Sequence, residues 1–330
     1  GNERVIRARL EDAVFFWNQD RKQTLHSRAA QLDDMTFQKR LGSLGDKQSR
    51  IAAIATALAG QLGFNVEQVQ RAASLCKCDL VTSMVFEFPD LQGIMGRYYA
   101  LHDGEDEAVA RALDEQYQPR FAGDTLPASG TGQLLAIAER LDTLVGIFAI
   151  GQTPTGDKDP FGLRRSALGL LRILIEKQLD LDLRACIDTA ANNFPAELDA
   201  ARIADPLFSF MMDRLRAWYL DAGYDVHVFE AVLARQPQRP LDFDQRMRAV
   251  STFRALPEAD SLAAANKRIR NILRKAGTAI PASYDTKLLQ EPAEKALAAA
   301  LLALDTQTRP LFEQRDYTNA LCPVSYTHLT

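Results

Sequence analysis

Apolar residues recur at helical spacing along most of this 330-residue chain, and alternating runs of Val, Ile and Thr are scarce. The stretch Arg71–Ala100 is the clearest case. Its apolar positions predict a buried helix that runs into a corner marked by Pro89 and Gly93, with a second packed helix beyond. A similar helix–loop–helix pattern follows in Glu139–Arg165. The spacing therefore predicts an all-α fold.

The same periodicity predicts helices in the rest of the chain, and local sequence predicts several of their ends. Ser43 or Asp46 is the expected cap of one helix, and Asp242 or Asp244 of another. Thr24–Leu32 fits a short strand or a short helix equally well. The predicted helices are residues 3–21, Lys47–Leu62, Val66–Cys78, Glu105–Tyr117, Leu134–Phe148, Leu163–Leu179, Phe208–Ala222, Val226–Arg235, Gln245–Leu256, Ser261–Ala276 and Glu291–Leu304.

Composition limits the class of protein and the kind of partner. The chain is 47% hydrophobic and 25% charged, which is typical of a soluble globular protein. A net charge of −4 gives no overall attraction to nucleic acid, so any RNA site must be a local basic patch. The four cysteines form no paired CxxC motif, which favours reduced, buried thiols over disulfides or zinc. Without a long apolar run or a signal-peptide pattern, we expect a cytoplasmic protein with no membrane partner.

The strongest charge signal lies between Arg246 and Lys275, where eight basic residues accompany two acidic ones. On a helix, Lys267, Arg270 and Arg274 share one face, and apolar residues that include Ile269 lie opposite. This arrangement predicts one side for the core and one side for phosphates, although a solvated basic face remains an alternative. The candidate RNA-binding residues are Arg246, Arg248, Lys267, Arg268, Arg270, Arg274 and Lys275. The candidate base-stacking aromatic residues are Trp218, Tyr219, Tyr224 and Phe253.

The loop Thr153–Arg165 is a second candidate site. Lys158, Arg164 and Arg165 supply positive charge, so we treat these three as candidate contacts to phosphate or to a protein partner. The loop lacks the GxxxxGK[ST] pattern of a Walker loop. A purely structural reading is equally open, in which Asp159 caps a helix and Pro160 occupies its first position.

Three segments resemble the β subunit of the bacterial two-subunit glycyl–tRNA synthetase. They are LGSLGDKQSRI, EFPDLQGIMGRYYA and ERLDTLVGIFAIGQTPTGDKDPFGLRRSALGLLRILIE. The resemblance runs from residue 1 to residue 321 and covers the C-terminal half of that longer subunit. It implies a connecting helix at residues 1–22, an HD-like helical domain at 23–195 and an α-helical anticodon-binding domain at 196–321. The family continues with a helix where this chain reads CPVSYTHLT, so we interpret residues 322–330 as a non-native tail.

The resemblance also implies a function. The β subunit would hold tRNA(Gly) for ATP-dependent aminoacylation on the α subunit, within an α/β heterotetramer that acts as a glycine–tRNA ligase. ATP and Mg²⁺ would bind the α subunit, so no cofactor is expected on this chain. The sequence contains neither HIGH nor KMSKS, and we assign no catalytic residue.

The HD superfamily binds metal through His and Asp residues, and this chain departs from that pattern. Cys76-Lys77-Cys78-Asp79 stands where a His–Asp pair is expected, and Glu139 and Asp142 stand at the distant acidic position. Because Lys77 would place a positive charge near a metal, we assign no metal ligands. Two alternatives stay open: an HD-family metal-dependent phosphohydrolase, and a structural module that only joins protein subunits.

Overall fold

The computed structural model describes residues 2–257, 259–276 and 286–326, and these residues are predominantly helical. The strands found among them are two short ones, Thr36–Gln38 and Gly42–Ser43, which pair antiparallel. The predicted all-α fold is confirmed. The names HD-like and anticodon-binding stay predictions.

The chain divides into two compact units, Gly1–Trp218 and Tyr219–Thr330. The boundary falls inside one helix, Ala204–Asp221, later in the chain than the limit expected from the resemblance. The predicted domain limits therefore stay a prediction. Residues 327–330 of the suspected tail lie outside the described residues, and residues 322–326 belong to the last helix, Tyr317–Tyr326.

The first unit is built around one buried helix, Gly130–Ala149 (α7), in which all but three of twenty residues are buried. Five other helices of the unit pack against it: Leu44–Leu62, Val66–Leu75, Glu107–Glu115, Leu163–Glu176 and Leu183–Ala191. Its helices are α1 (Asn2–Asp20), α2 (Leu44–Leu62), α3 (Val66–Leu75), α4 (Ser83–Glu87), α5 (Ile94–His102), α6 (Glu107–Glu115), α7 (Gly130–Ala149), α8 (Leu163–Glu176), α9 (Leu183–Ala191) and the start of α10 (Ala204–Asp221). Short 3₁₀ helices occupy His26–Asp34, Cys78–Val81, Pro89–Leu91, Ala196–Leu198 and Ala200–Ile203.

The second unit contains five further helices among its described residues. They are α11 (Val226–Leu233), α12 (Pro240–Arg254), α13 (Ala259–Ala276), α14 (Pro292–Glu313) and α15 (Tyr317–Tyr326). A 3₁₀ turn, Thr286–Leu288, precedes α14. Helix α12 packs against α11, α13 and α15, and α14 packs against α15.

The starts of helices α2 and α12 test the capping residues predicted from the sequence. At α2, the Ser43 hydroxyl accepts from the Asp46 N–H and the Asp46 carboxylate accepts from the Ser43 N–H, so both candidate residues act in one capping box. The cap predicted for α12 is wrong. That helix begins at Pro240, and Asp242 and Asp244 lie inside it, where their carboxylates bind side chains instead of the helix start.

The start of α8 agrees in part with the structural reading of its loop. The Asp159 carboxylate accepts from the N–H groups of Leu163 at 2.8 Å and Arg164 at 2.9 Å, so it does satisfy the helix start, although Gly162 and not Asp159 occupies the N-cap position. The helix nevertheless begins only at Leu163, so the expected place of Pro160 inside its first turn is wrong. The ambiguous stretch Thr24–Leu32 falls largely in the 3₁₀ helix His26–Asp34.

Across the part of the chain that the structure describes, none of the helices has the length and apolar content needed to span a lipid bilayer.

Candidate nucleic-acid interface

Helix α13 carries a row of exposed basic side chains. Lys267, Arg270 and Arg274 line one shallow cavity together with Ala263, Asn266 and Asn271, and Arg268 and Lys275 are exposed beside them. We call these five basic residues the α13 ridge. Among the described residues, none of the five forms an ion pair, and the one polar contact found is from the Arg274 guanidinium to Asn271 Oδ1 at 3.2 Å. The structure therefore brings together five of the seven candidate RNA-binding residues.

The side of α13 opposite the ridge differs from the prediction. Ile269 is 50% exposed, Ile272 57% and Leu273 39%, so the expected burial of these three residues in the core is wrong. Leu262 and Ala265 are half-buried. Within the described residues α13 packs against α12, and that packing leaves the three larger side chains uncovered. Glu258, one of the two acidic residues of this region, lies outside the described residues.

The remaining two candidates, Arg246 and Arg248, lie on α12 and are held by carboxylates. Arg246 donates to Asp242 Oδ2 at 2.9 Å and to the Tyr317 hydroxyl at 2.7 Å, and its guanidinium lies 4.4 Å from the centre of the Tyr317 ring. Arg248 is two-thirds exposed and donates to Asp244 Oδ2 at 2.7 Å. These two arginines are thus bound within their own unit, unlike those of the α13 ridge.

The candidate base-stacking aromatic residues also differ in exposure. Tyr219 is only 1% exposed; its hydroxyl donates to Asp244 Oδ1 at 2.8 Å, and its ring packs against Phe229 and Phe243. It is a core residue, so its expected role in stacking on a base is wrong. Tyr224, Phe253 and Trp218 are half-buried.

Sequence reasoning missed a cavity of about 560 Å³ beside α12. Its lining includes Tyr224, Arg248 and Arg254, and Arg254 donates to Asp225 Oδ1 at 2.7 Å. Arg254 contributed to the local charge excess, which is the one signal in the sequence that pointed to it.

The three candidate residues of the loop Thr153–Arg165 have different contacts. Thr155 and Lys158 exchange two backbone hydrogen bonds, and the Arg164 guanidinium donates to the Gly156 carbonyl, so the loop closes on itself. Lys158 is exposed at its tip. Arg165 takes no part in these contacts and lines a cavity with Glu139 and Arg140.

The region where the HD superfamily binds metal contains a cluster of protein cations, which we call the Lys47–Asp142 cluster. Asp142 is fully buried, and its carboxylate binds Lys47 Nζ at 2.8 Å and Arg50 Nε at 2.5 Å. Glu139 Oε1 lies 3.5 Å from both Lys47 Nζ and Lys77 Nζ. Lys77 thus brings a positive charge to this region, as the sequence predicted.

These charges determine how the acidic groups ionise. Burial opposes ionisation of Glu139, but the positive charges of Lys77 and Lys47 outweigh it and lower its pKa to about 2. Burial raises the pKa of Asp79, whose carboxylate accepts from the Gly93 N–H at 2.6 Å. Burial also raises the pKa of Cys76 to about 12 and that of Cys78 to about 11, so both thiols are protonated at neutral pH. No three His, Cys, Asp or Glu side chains in the described ranges are placed to share a metal ion.

Comparisons with known proteins agree with the resemblance seen in the sequence. A family profile described as "Glycyl-tRNA synthetase beta subunit" matches residues 1–234. A glycine–tRNA ligase beta subunit of Edwardsiella ictaluri is 54% identical over 97% of this chain and 47% of its own length. The proteins of the same name from Sodalis glossinidius and Pseudomonas aeruginosa are each 52% identical over the same shares. The chain thus spans about half the length of these curated relatives.

Proposed function

This chain belongs to the glycyl-tRNA synthetase beta-subunit family, and from that membership we propose that it is a tRNA-binding part of a glycine–tRNA ligase. In this proposal the α13 ridge binds the phosphate backbone of tRNA(Gly). Glycine is activated and transferred on a separate α subunit, where ATP and Mg²⁺ bind, within a cytoplasmic α/β heterotetramer. The chain corresponds to the C-terminal half of its subunit and carries an HD-like and an anticodon-binding domain.

The observation that carries this proposal is a contrast between α13 and the other exposed helices. Three arginines on other helices pair with a carboxylate one turn away, in Arg111–Glu107, Arg172–Glu176 and Arg309–Asp305. The five cations of the α13 ridge have no such partners among the described residues. Unpaired cations on one helical face, in a chain of net charge −4, are the arrangement that a phosphate backbone neutralises.

Arg246 and Arg248 remain candidates for RNA binding, with a different expected role. Each already holds a carboxylate, so a phosphate would have to share or replace that partner. We therefore assign most of the electrostatic affinity to the α13 ridge. The contribution of the whole chain to aminoacylation is to position the tRNA, which can lower a reaction barrier substantially without any catalytic group.

The Lys47–Asp142 cluster supports this proposal over a metal-dependent phosphohydrolase. A metal centre needs carboxylates whose oxygens are free to coordinate. The carboxylates of Asp142 and Glu139 are instead engaged by Lys47, Arg50 and Lys77. We propose that this part of the first unit is structural.

Direct binding of tRNA tests the proposal. The triple variant Lys267→Ala, Arg270→Ala, Arg274→Ala is expected to bind tRNA(Gly) at least about tenfold more weakly than the unmodified chain at low salt. A matched variant that replaces Arg111, Arg172 and Arg309 by Ala removes the same charge from paired positions, and its affinity should stay within about twofold. If the unmodified chain does not bind tRNA, the structural subunit-joining alternative is favoured instead.

A further inference from the structure

A cavity of about 520 Å³ lies in the first unit, outside the α13 ridge and outside the buried part of the Lys47–Asp142 cluster. Its lining residues are Pro89, Asp90, Gln92, Tyr117, Pro119, Arg120, Glu139, Arg140, Arg165 and Ser166. They come from four separate stretches of the chain, so local sequence gives little indication of the cavity. Its volume lies within the range of roughly 300–1,000 Å³ that is typical of small-molecule sites.

Hydrogen-bond donors in this cavity lack protein partners. Arg165 is exposed, and neither its guanidinium nor the Ser166 hydroxyl makes a hydrogen bond to any described residue. Tyr117 also lines the cavity, but its hydroxyl is buried and interacts with the Gln92 side chain, so it is not open to a ligand. The Arg165 guanidinium and the Ser166 hydroxyl are therefore the donors that remain available to a bound molecule.

The balance of charge in the cavity favours an anion. Arg140 is buried and donates to four backbone carbonyls, those of Gln116, Ala136, Tyr117 and Pro119. These carbonyls carry no net charge, so they leave the guanidinium charge without an ion pair. Burial and the nearby charge of Arg165 lower the pKa of Arg140 to about 10, against the opposing effect of Glu139.

The carboxylates that face the cavity do not cancel these two arginines. Glu139 is already held by Lys47 and Lys77, and Arg120 is paired with Asp114. Asp90 lies exposed at the rim. Arg140 and Arg165 therefore supply two uncompensated positive charges against one rim carboxylate.

We propose that this cavity binds the phosphate monoester of a nucleotide. The guanidinium of Arg165 and the hydroxyl of Ser166 supply the donors, and Arg140 supplies charge from beneath. Pro89 and Pro119 offer apolar surface to the rest of the nucleotide. A free nucleoside monophosphate and the 5′-phosphorylated end of an RNA strand present the same group.

Calorimetric titration of the full chain tests this site with defined probes. The probes are inorganic phosphate, AMP, adenosine, and an RNA trinucleotide with and without a 5′-phosphate. The RNA probes are measured in the Lys267→Ala, Arg270→Ala, Arg274→Ala variant, so that failure of the α13 ridge and failure of this site remain distinguishable. At least one of AMP and the 5′-phosphorylated trinucleotide should bind, and adenosine and the unphosphorylated trinucleotide should not.

Two substitutions and a matched control make the result specific. Arg165→Gln should weaken phosphate binding about tenfold or more, because it removes a charge-assisted donor. Arg172→Gln removes the same charge two turns further along α8, outside the cavity, and should change binding less than about twofold. Ser166→Ala should weaken binding while leaving the stability of the free protein nearly unchanged, because the hydroxyl has no hydrogen-bond partner among the described residues to lose.

The outcomes separate the two sources of phosphate. If AMP binds and the Arg165→Gln variant binds it more weakly, the site takes a free nucleotide. If the 5′-phosphorylated trinucleotide binds in this Arg165-dependent way and AMP does not bind, the site takes an RNA end. Either result supports the site. Absence of binding by every phosphorylated probe at millimolar concentration, or equal effects of Arg165→Gln and Arg172→Gln, overturns it.

Discussion

Lys47 and Asp142, 95 residues apart in sequence, meet at 2.8 Å in the interior of the first unit, and both side chains are buried. Lys47 Nζ also donates to the Thr143 hydroxyl at 2.7 Å, and Arg50 contacts the same carboxylate. The pair therefore joins α2 to α7, the helix on which the core is built. Charges buried in this way are tolerated because each has a close partner.

Removing one partner should be strongly destabilising. Lys47→Met keeps the length of the side chain but leaves Asp142 with Arg50 as its one remaining close cation. We expect a loss of about 3–5 kcal/mol in the free energy of unfolding, measured by urea denaturation. Arg111→Ala, which breaks an exposed pair with Glu107, is the control and should cost less than about 1 kcal/mol. Equal losses in the two variants would contradict the assigned role of the cluster.

Glu139 should make the first unit sensitive to acid. Its pKa is about 2 in the folded chain and 4.5 as its ordinary value, so ionised Glu139 stabilises the fold fully above about pH 4.5. That contribution, on the order of 3 kcal/mol, should be lost as the pH falls from about 4.5 to about 2. Burial raises the pKa of Asp79, which changes stability in the opposite sense.

Comparison of the unmodified chain with Glu139→Gln isolates this effect, because Asp79 is common to both. Unfolding free energies measured at several pH values should converge toward acid and diverge toward neutral pH. A constant difference between the two proteins across that range would show that Glu139 does not titrate as described.

Removal of the Arg246 side chain should lower stability, whereas removal of the Arg270 side chain should weaken tRNA binding. Arg246→Ala breaks contacts with Asp242 and Tyr317 and should destabilise the second unit by about 1–3 kcal/mol. Arg270→Ala removes an exposed, unpaired side chain and should change stability by less than about 0.5 kcal/mol while weakening tRNA binding. Thermal melts and tRNA titrations on both variants measure the two effects. A stability loss in Arg270→Ala as large as that in Arg246→Ala would mean that the α13 ridge is structural.

Gly93 should be intolerant of a side chain. Its φ of +82° is in the left-handed region, and an added Cβ would lie 2.6 Å from the Tyr117 ring. Gly104 has a similar φ of +84° with open space around it, which makes it a matched control. Gly104→Ala should lower the free energy of unfolding by about 1 kcal/mol, because alanine disfavours a positive φ. Gly93→Ala should lower it further, because the Tyr117 ring must also move. Similar unfolding free energies for the two variants would count against this packing.

Sequence reasoning found the helices because apolar periodicity is a local signal that packing reinforces. It placed α1, α2 and α13 to within a few residues, and it identified both residues of the α2 capping box. It misplaced the start of α12, because Asp242 and Asp244 resemble caps in sequence. Their carboxylates bind Tyr317 and Tyr219, and those tertiary contacts cannot be read from neighbouring residues.

The Lys47–Asp142 cluster was harder to predict from the sequence. Lys47 is an ordinary polar position in the sequence of α2, and only the fold brings it beside Asp142. The cavity lined by Arg165 draws on four distant stretches for the same reason. The α13 ridge was found because its charges lie within nine residues on one helix, where spacing alone sets the face.

The salt dependence of tRNA binding tests the central claim most directly. Plots of log affinity against log salt concentration should be linear for the unmodified chain, and the Lys267→Ala, Arg270→Ala, Arg274→Ala variant should show a slope shallower by about 2–3. The variant at Arg111, Arg172 and Arg309 should keep the original slope. An unchanged slope in the ridge variant would contradict the claim that the α13 ridge binds the RNA backbone.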